Sequence, residues 1–149
     1  MPKPLVPPLW ALLTALGMLA LHQQLPGPVL LVEPWSWWLG VLPALAGVGL
    51  VGWAASLFVR AGTPLEPWQT PTALVASGPY RFTRNPMYLG LTLCLTGLTL
   101  WLGTTTPVLL LPVFVALLTL GFVRPEERRL EQCFGESYRS YKSRVRRWI

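Results

Sequence analysis

Polar residues able to bind a small charged ligand gather where a loop meets an apolar stretch, within residues 78–90. Asn85 followed by Pro86 predicts a helix start, because an Asn side chain can accept a bond from an otherwise unpaired N–H and proline presets φ at the first helical position. Arg81 and Arg84 come just before this start. Helix N–H groups and two guanidinium groups together favour an anionic group. The alternative is that Asn-Pro is only a cap and the arginines only mark the cytoplasmic end of a membrane span.

The elements that must position these residues are apolar helices. Of the 149 residues, 52% are apolar and 12% are charged, which indicates one small membrane domain over residues 1–149. Four stretches can cross about 30 Å of hydrocarbon as helices. They are residues 4–21, 36–59, 86–102 and 107–123, with a loop at 60–85 and a tail at 124–149. The sequence therefore predicts an all-α integral membrane protein with about four transmembrane helices and a cytoplasmic interfacial C-terminal helix.

Charge placement predicts the orientation of these spans. All 12 lysines and arginines fall before the first span, between the second and third, or after the fourth. By the positive-inside rule the protein is multi-pass with both termini cytoplasmic. Because topology accounts for every basic residue, the net charge of +6 does not indicate nucleic-acid binding. Attraction of the basic tail to anionic membrane lipids is the expected use of any surplus charge.

Two features that suggest other sites are better explained by the membrane setting. Residues 47–52 match G-x-G-x-x-G, but no strand precedes them, so small residues that let a neighbouring helix approach are favoured over a dinucleotide loop. The only histidine, His22, lies at the outer end of the first span. No metal site is expected, because no other metal-ligating side chain is near it.

The tail begins with a charged helix start. Pro125 is followed by Glu126 and Glu127, and carboxylates in the first helical turn are favoured by the helix dipole. The short turn at 103–106 predicts that spans three and four form an antiparallel hairpin. This hairpin returns Glu126 to the membrane face that holds Arg84 and Tyr88, so we expect these side chains to meet.

Taken together, these motifs resemble the isoprenylcysteine carboxyl methyltransferase family and related membrane phospholipid methyltransferases. The similarity covers roughly residues 60–149 and rests on Gly78-Pro79-Tyr80, Arg84-Asn85-Pro86-x-Tyr88-x-Gly90, the Glu126-Glu127 pair and Phe134-Gly135-x-x-Tyr138-x-x-Tyr141 before Arg144-Val145. The resemblance implies an integral membrane enzyme that uses S-adenosylmethionine in a pocket on the cytoplasmic side. Carried over by motif, it implies cofactor contacts from Thr72, Ala73, Leu74, Val75, Tyr80, Asn85, Pro86, Met87, Tyr88 and Glu126.

The chemistry of this cofactor agrees with the residues. Its ammonium and sulfonium require a carboxylate or aromatic faces, and its carboxylate requires an arginine or helix N–H groups. We expect Glu126 to take the ammonium or the ribose hydroxyls, and Arg84 to take the cofactor carboxylate or an acidic substrate. The family often has histidine where this chain has Asn85, and an asparagine side chain does not titrate. Catalysis is therefore expected to rest on positioning donor and acceptor in line, away from water.

The acceptor is expected to be lipidic or amphiphilic, and its reacting atom is left open. A carboxylate or thiolate is nucleophilic once ionised, whereas a protonated amine needs a base, for which Glu127 or Tyr88 is a candidate. Arg84 and Glu127 are the predicted catalytic residues. The alternatives are a phospholipid or amine N-methyltransferase and a non-catalytic lipid-binding membrane protein. A transporter is disfavoured, because the four spans contain no ionisable groups of the kind that line transport pathways.

Overall fold

The computed structural model describes residues 6–66 and 69–149, and this part of the chain is helical apart from loops and two isolated β-bridges. Six α-helices follow one another, joined by short 3₁₀ turns and a π segment. The helices are α1 (Pro7–Gln24), α2 (Trp35–Arg60), α3 (Pro86–Leu102), α4 (Leu110–Leu118), α5 (Arg124–Phe134) and α6 (Glu136–Arg144); the 3₁₀ turns are Gly78–Arg81 and Thr106–Leu109, and the π segment is Thr119–Val123. The predicted all-α class is confirmed, and the start of the first predicted span, residues 4 and 5, lies outside the described residues.

The start of α3 is where the sequence placed it, but the cap is different. Pro86 is the first helical residue, as its fixed φ favours. The prediction that Asn85 caps the helix through its side chain is wrong: within the described structure that side chain makes no cap bond. Its amide nitrogen instead donates to the carbonyl of Arg147 at 2.9 Å, so the side chain is oriented by the returning tail.

Helices α3 and α4 form the predicted hairpin. Gly103 has φ of +67° and ends α3, which is the left-handed conformation that glycine adopts without a steric penalty. The chain turns at once into a second helical run that extends without a break from Thr106 to Phe134. The helix therefore continues past residue 123, through the π segment and α5. It ends at Gly135, with φ of +52°.

Helices α2 and α3 pack closely through glycines. A Cβ added to Gly47 would lie 2.5 Å from the carbonyl oxygen of Gly90, and one added to Gly97 would lie 2.5 Å from that of Gly40. The explanation of the G-x-G-x-x-G match as a packing feature is therefore confirmed at Gly47. The other two glycines of that match have none of the described atoms within 4 Å of a Cβ position.

The core lies between α1, α3 and the α4–π segment. Its buried side chains are Met18, Tyr88, Leu95, Phe114, Leu118, Phe122 and Val123. Most large apolar side chains of α1 and α2 face outward instead, including Leu16, Trp38 and Leu45, which are 53%, 68% and 65% exposed. An outward apolar surface of this kind suits a lipid environment, in which apolar side chains need no burial inside the protein.

Two helices of the described chain are long and apolar enough to cross a membrane, Trp35–Arg60 and Thr106–Phe134. Helix α3 is apolar but shorter, and it is the helix that the others surround. The fold thus places a buried central helix so that its N-terminal end, at Pro86, meets the charged start of α5.

Candidate functional site

A cleft lies at the end of the bundle where α3 begins and α5 starts. Its volume, which includes space open to solvent, is about 700 Å³. Four parts of the chain contribute to its wall: the end of α2, the 60–85 loop, α5 and α6. The lining residues are Phe58, Pro64, Leu65, Glu66, Gln69, Pro71, Ala73, Leu74, Val75, Tyr80, Arg84, Asn85, Glu126, Glu127, Arg129, Leu130, Tyr138 and Tyr141.

The loop wall is apolar and held by two threonines. Ala73–Val75 lines the cleft. Just before it, the backbone N–H of Thr72 donates to Oγ1 of Thr63 at 3.0 Å, and the Thr72 hydroxyl donates to the carbonyl of Gly62 at 3.0 Å. Thr63 is buried. These bonds fix the loop against the end of α2, so the apolar wall is an ordered surface although its prolines prevent regular secondary structure.

Tyr80 presents a polar atom to the cleft. Its side chain is buried, and its ring lies 5.5 Å from that of Phe58, between centroids. Among the described residues its hydroxyl has no hydrogen-bond partner. The backbone carbonyl of Tyr80 accepts a bond from the hydroxyl of Tyr141 at 2.7 Å, which anchors the 3₁₀ turn to α6. A buried hydroxyl without a partner is costly, and a ligand in the cleft is the group that can supply one.

Glu126 and Tyr88 meet across the α3–α4 hairpin. The Tyr88 hydroxyl donates to Oε2 of Glu126 at 2.8 Å, although the two residues are 38 positions apart. The predicted hairpin led us to expect this contact. The bond occupies one carboxylate oxygen and leaves Glu126 on the cleft wall, where it offers further acceptor capacity to a bound group.

Glu127, the next residue, lies in an ion-pair cluster. Arg84 Nη2 contacts its Oε1 at 2.7 Å, while Arg147 donates from Nε to Oε1 at 3.0 Å and from Nη2 to Oε2 at 2.7 Å. The side chains of Arg84 and Glu127 are 9% and 8% exposed. Arg84 Nη1 also donates to the carbonyls of Lys142 and Val145 at 3.0 and 2.9 Å. Both predicted catalytic residues are therefore at the cleft, with their charges directed at each other.

Burial also sets the protonation of the phenols around the cleft. It raises the pKa of Tyr80, and the nearby charge of Glu126 raises it further. Burial likewise raises the pKa of Tyr138, and it raises that of Tyr141 to about 12. All three hydroxyls are therefore protonated at neutral pH, since a phenol whose pKa is raised is a poor acid. The hydroxyl of Tyr141 donates to the carbonyl of Tyr80.

The predicted site residues divide into two groups. Ala73, Leu74, Val75, Tyr80, Asn85 and Glu126, together with Arg84 and Glu127, line the cleft. Thr72, Pro86, Met87 and Tyr88 are not among its lining residues, and Tyr88 reaches the site through its bond to Glu126.

Outside the 60–85 loop, five lining residues were not predicted: Phe58, Arg129, Leu130, Tyr138 and Tyr141. Arg129 could have been predicted, because it lies three positions after Glu126 and so shares its helix face. The two tyrosines belong to the motifs that carry the family resemblance, but they were not assigned to the site.

Comparison with known proteins identifies a family of membrane enzymes. The sequence profile of the phospholipid methyltransferase family matches residues 35–137, a segment that contains most of the cleft wall. An uncharacterised protein of Haemophilus influenzae is 43% identical to the chain over 63 residues, which are 42% of this chain and the whole of that protein. No solved structure matches the chain.

Proposed function

The chain belongs to the phospholipid methyltransferase family, in the isoprenylcysteine carboxyl methyltransferase-like group of membrane methyltransferases, and we propose that it methylates a lipidic or amphiphilic acceptor at the cytoplasmic membrane face with S-adenosylmethionine. The observation that carries the proposal is one cleft that combines the carboxylate of Glu126, the partnerless hydroxyl of Tyr80 and the apolar wall at residues 73–75.

These residues fit the proposed cofactor. When bound, S-adenosylmethionine supplies an electrophilic methyl group on a sulfonium. Glu126 would accept hydrogen bonds from its ammonium or ribose hydroxyls, and Tyr80 would bond a polar group of the same molecule through its free hydroxyl. Ala73–Val75 and Phe58 would cover its adenine, because an apolar wall beside an aromatic ring suits a flat heterocycle. Arg129 lies on the same wall and would attract a carboxylate.

We infer that Arg84 and Glu127 contribute by position. Their short, buried ion pair holds α5 against the start of α3, so that Glu126 stays on the cleft wall. The role of the chain is then to orient the acceptor in line with the methyl group and to exclude water, which is sufficient for a nucleophile that is already ionised. The acceptor we favour is therefore a carboxylate or thiolate on an amphiphilic molecule.

A second candidate is methylation of a phospholipid amine. The family description favours it, and Glu126 is a carboxylate that could attract an ammonium headgroup and accept its proton. In this case the product carries one more N–methyl group in place of a methyl ester, so the two candidates differ in the bond that is formed.

One experiment tests the proposal and separates the candidates. Purified protein in lipid nanodiscs is first titrated with S-adenosylhomocysteine, and then incubated with methyl-labelled cofactor and a membrane lipid extract. We expect saturable binding and label in the organic phase. Label lost in mild base as methanol identifies an ester, and label that is retained there identifies an amine or thioether. Absence of both binding and transfer would contradict the enzyme and favour a non-catalytic lipid-binding protein.

We also propose that all four apolar helical segments cross the membrane with both ends of the chain in the cytoplasm. The support is the position of the 12 basic residues along the sequence: all of them precede the first segment, lie between the second and third, or follow the fourth. Single cysteines placed at residues 30 and 140, in a variant without Cys94 and Cys133, test it with a membrane-impermeant thiol reagent. Labelling of intact cells is expected at position 30 only, and the reverse pattern would contradict the orientation.

A further inference from the structure

The tail segment, which we define as residues 145–149, returns to the start of α3. The backbone N–H of Arg84 donates to the carbonyl of Arg146 at 2.9 Å, and Thr83 and Arg146 form a parallel β-bridge. The tail segment thus adds a short strand-like edge to the residues that lead into α3, on the side of the bundle that holds the cleft.

Two buried side chains hold the next carbonyl of the tail segment. The hydroxyl of Thr83 and the amide of Asn85 both donate to the carbonyl oxygen of Arg147, at 3.1 and 2.9 Å. Thr83 and Asn85 are 4% and 7% exposed. Because a buried donor is costly to leave without a partner, both side chains favour the docked position of the tail segment.

The side chain of Arg147 then reaches α5. It binds both carboxylate oxygens of Glu127, at 3.0 and 2.7 Å, in the two-point geometry that makes an Arg–carboxylate pair directional. Arg84 contacts Oε1 of the same carboxylate at 2.7 Å. Glu127 is therefore held by two guanidinium groups, one from the residues just before α3 and one from the tail segment.

Fixing Glu127 also fixes its neighbour. Consecutive residues of an α-helix project about 100° apart, so a helix whose Glu127 is held by two arginines cannot rotate without breaking those bonds. Glu126 is thereby directed to the cleft and to the hydroxyl of Tyr88. At the other wall, Tyr141 of α6 holds the carbonyl of Tyr80 at 2.7 Å.

We propose that the tail segment is a clamp that positions Glu126 for ligand binding, and that Arg147 is a positioning residue of the site. Arg147 touches no ligand in this scheme; it acts through Glu127 on the orientation of α5. The inference rests on the proposed function in one respect, which is that S-adenosylhomocysteine is the probe.

The test compares R147Q with R146Q in nanodiscs. R146Q removes the same charge from the adjacent residue, whose side chain is exposed and whose contribution to the clamp is its backbone carbonyl. We expect R147Q to weaken binding of S-adenosylhomocysteine about tenfold or more, as a displaced positioning group does, and R146Q to leave it unchanged. R147K, which keeps the charge but loses the two-point contact, should fall between them.

A double variant separates positioning from general destabilisation. If Arg147 acts through Glu126, R147Q should add little to the loss caused by E126Q, since coupled residues are not additive. Binding is measured well below the unfolding midpoint of every variant. If R147Q does not yield folded protein, T83V, which removes one bond to the Arg147 carbonyl, takes its place in the same comparison.

The outcomes are distinct. Unchanged affinity in R147Q, or full additivity with E126Q, would overturn the clamp while leaving the proposed function in place. Failure of the unaltered protein to bind S-adenosylhomocysteine would overturn the proposed function and this inference with it. Equal losses in R147Q and R146Q would show a general effect of basic charge and would also overturn the clamp.

Discussion

Replacing Glu126 by glutamine removes one charge from the cleft and changes little else. The Tyr88 hydroxyl donates to Oε2 of Glu126 at 2.8 Å, and the carbonyl oxygen of a glutamine accepts the same bond. The fold of the α3–α4 hairpin should therefore persist. What is lost is the ability of the side chain to bind an ammonium or ribose hydroxyl as a carboxylate.

The size of the effect follows from the kind of bond that is lost. A hydrogen bond to a charged group contributes about 1.5–3 kcal/mol, which corresponds to roughly 10- to 150-fold weaker binding of S-adenosylhomocysteine. Glu126 is partly buried on the cleft wall, where solvent screens its interaction with a ligand less than it screens an exposed ion pair. We therefore expect the loss of affinity to fall within this range.

Calorimetric titration in nanodiscs measures this loss, and E131Q is the matched control. Glu131 lies on the same helix and pairs with Arg139 and Lys142 at 3.0 and 3.3 Å, away from the cleft lining. E131Q removes an equal charge and should leave the affinity unchanged. An E126Q affinity within about twofold of the unaltered protein, a free-energy change too small for a lost charged hydrogen bond, would refute the role of Glu126.

A second ligand identifies the group that Glu126 binds. Methylthioadenosine has the nucleoside of the cofactor but lacks its ammonium and carboxylate. If Glu126 holds the ammonium, E126Q should leave binding of methylthioadenosine unchanged. If it holds the ribose hydroxyls, both ligands should lose affinity together.

Three further predictions follow from the contacts around the site. R84Q removes one of the two guanidinium partners of the buried Glu127 carboxylate and the donor of two tail carbonyls. It should lower the free energy of unfolding by about 1–3 kcal/mol, measured by denaturant titration in detergent, and an unchanged midpoint would contradict these contacts. G47A should destabilise the protein by about 1–3 kcal/mol, because the added Cβ would clash with α3. G49A should not, because its Cβ has none of the described atoms within 4 Å. Equal thermal midpoints of the two variants would argue against close packing of α2 on α3 at Gly47. The pKa of Tyr141 is raised by burial to about 12, so the stability that this phenol contributes is complete below about pH 10 and is lost as the pH rises through about 12. The unfolding midpoint of Y141F should therefore fall less steeply at alkaline pH than that of the unaltered protein. Identical pH profiles of the two midpoints would contradict this.

The parts of the site that the sequence predicts are those with local signals. Pro86 fixes the first residue of α3 through its own φ, and Gly135 ends α5 because it adopts a positive φ without a steric penalty. The short turn after α3 requires the next helix to run back along it, and a return of that length brings Glu126 to Tyr88. Each of these predictions depends on one residue type or one loop length.

The parts that the sequence does not predict come from the returning tail segment. The contact between Asn85 and Arg147 joins residues 62 positions apart, and no periodicity or turn length specifies it. Asn85 satisfies every local rule for a helix cap, yet its amide binds a tail carbonyl. The distant tail carbonyl orients this side chain, and the helix N–H groups have other ways to be satisfied.

The roles of the adjacent Glu126 and Glu127 could not be assigned from residue type alone. In the sequence, Glu126 and Glu127 are equivalent carboxylates in the first turn of a helix. In the fold, the helical rotation between them directs one to a phenol and an open cleft, and the other to two guanidinium groups. A carboxylate with two arginine partners has little capacity left for a ligand, whereas Glu126, which accepts a bond from the Tyr88 hydroxyl, has lone pairs left for one. Which glutamate binds a ligand and which supports the structure is therefore set by their hydrogen-bond partners, which lie 20 to 43 positions away along the chain. The hairpin and the tail segment bring these partners into place.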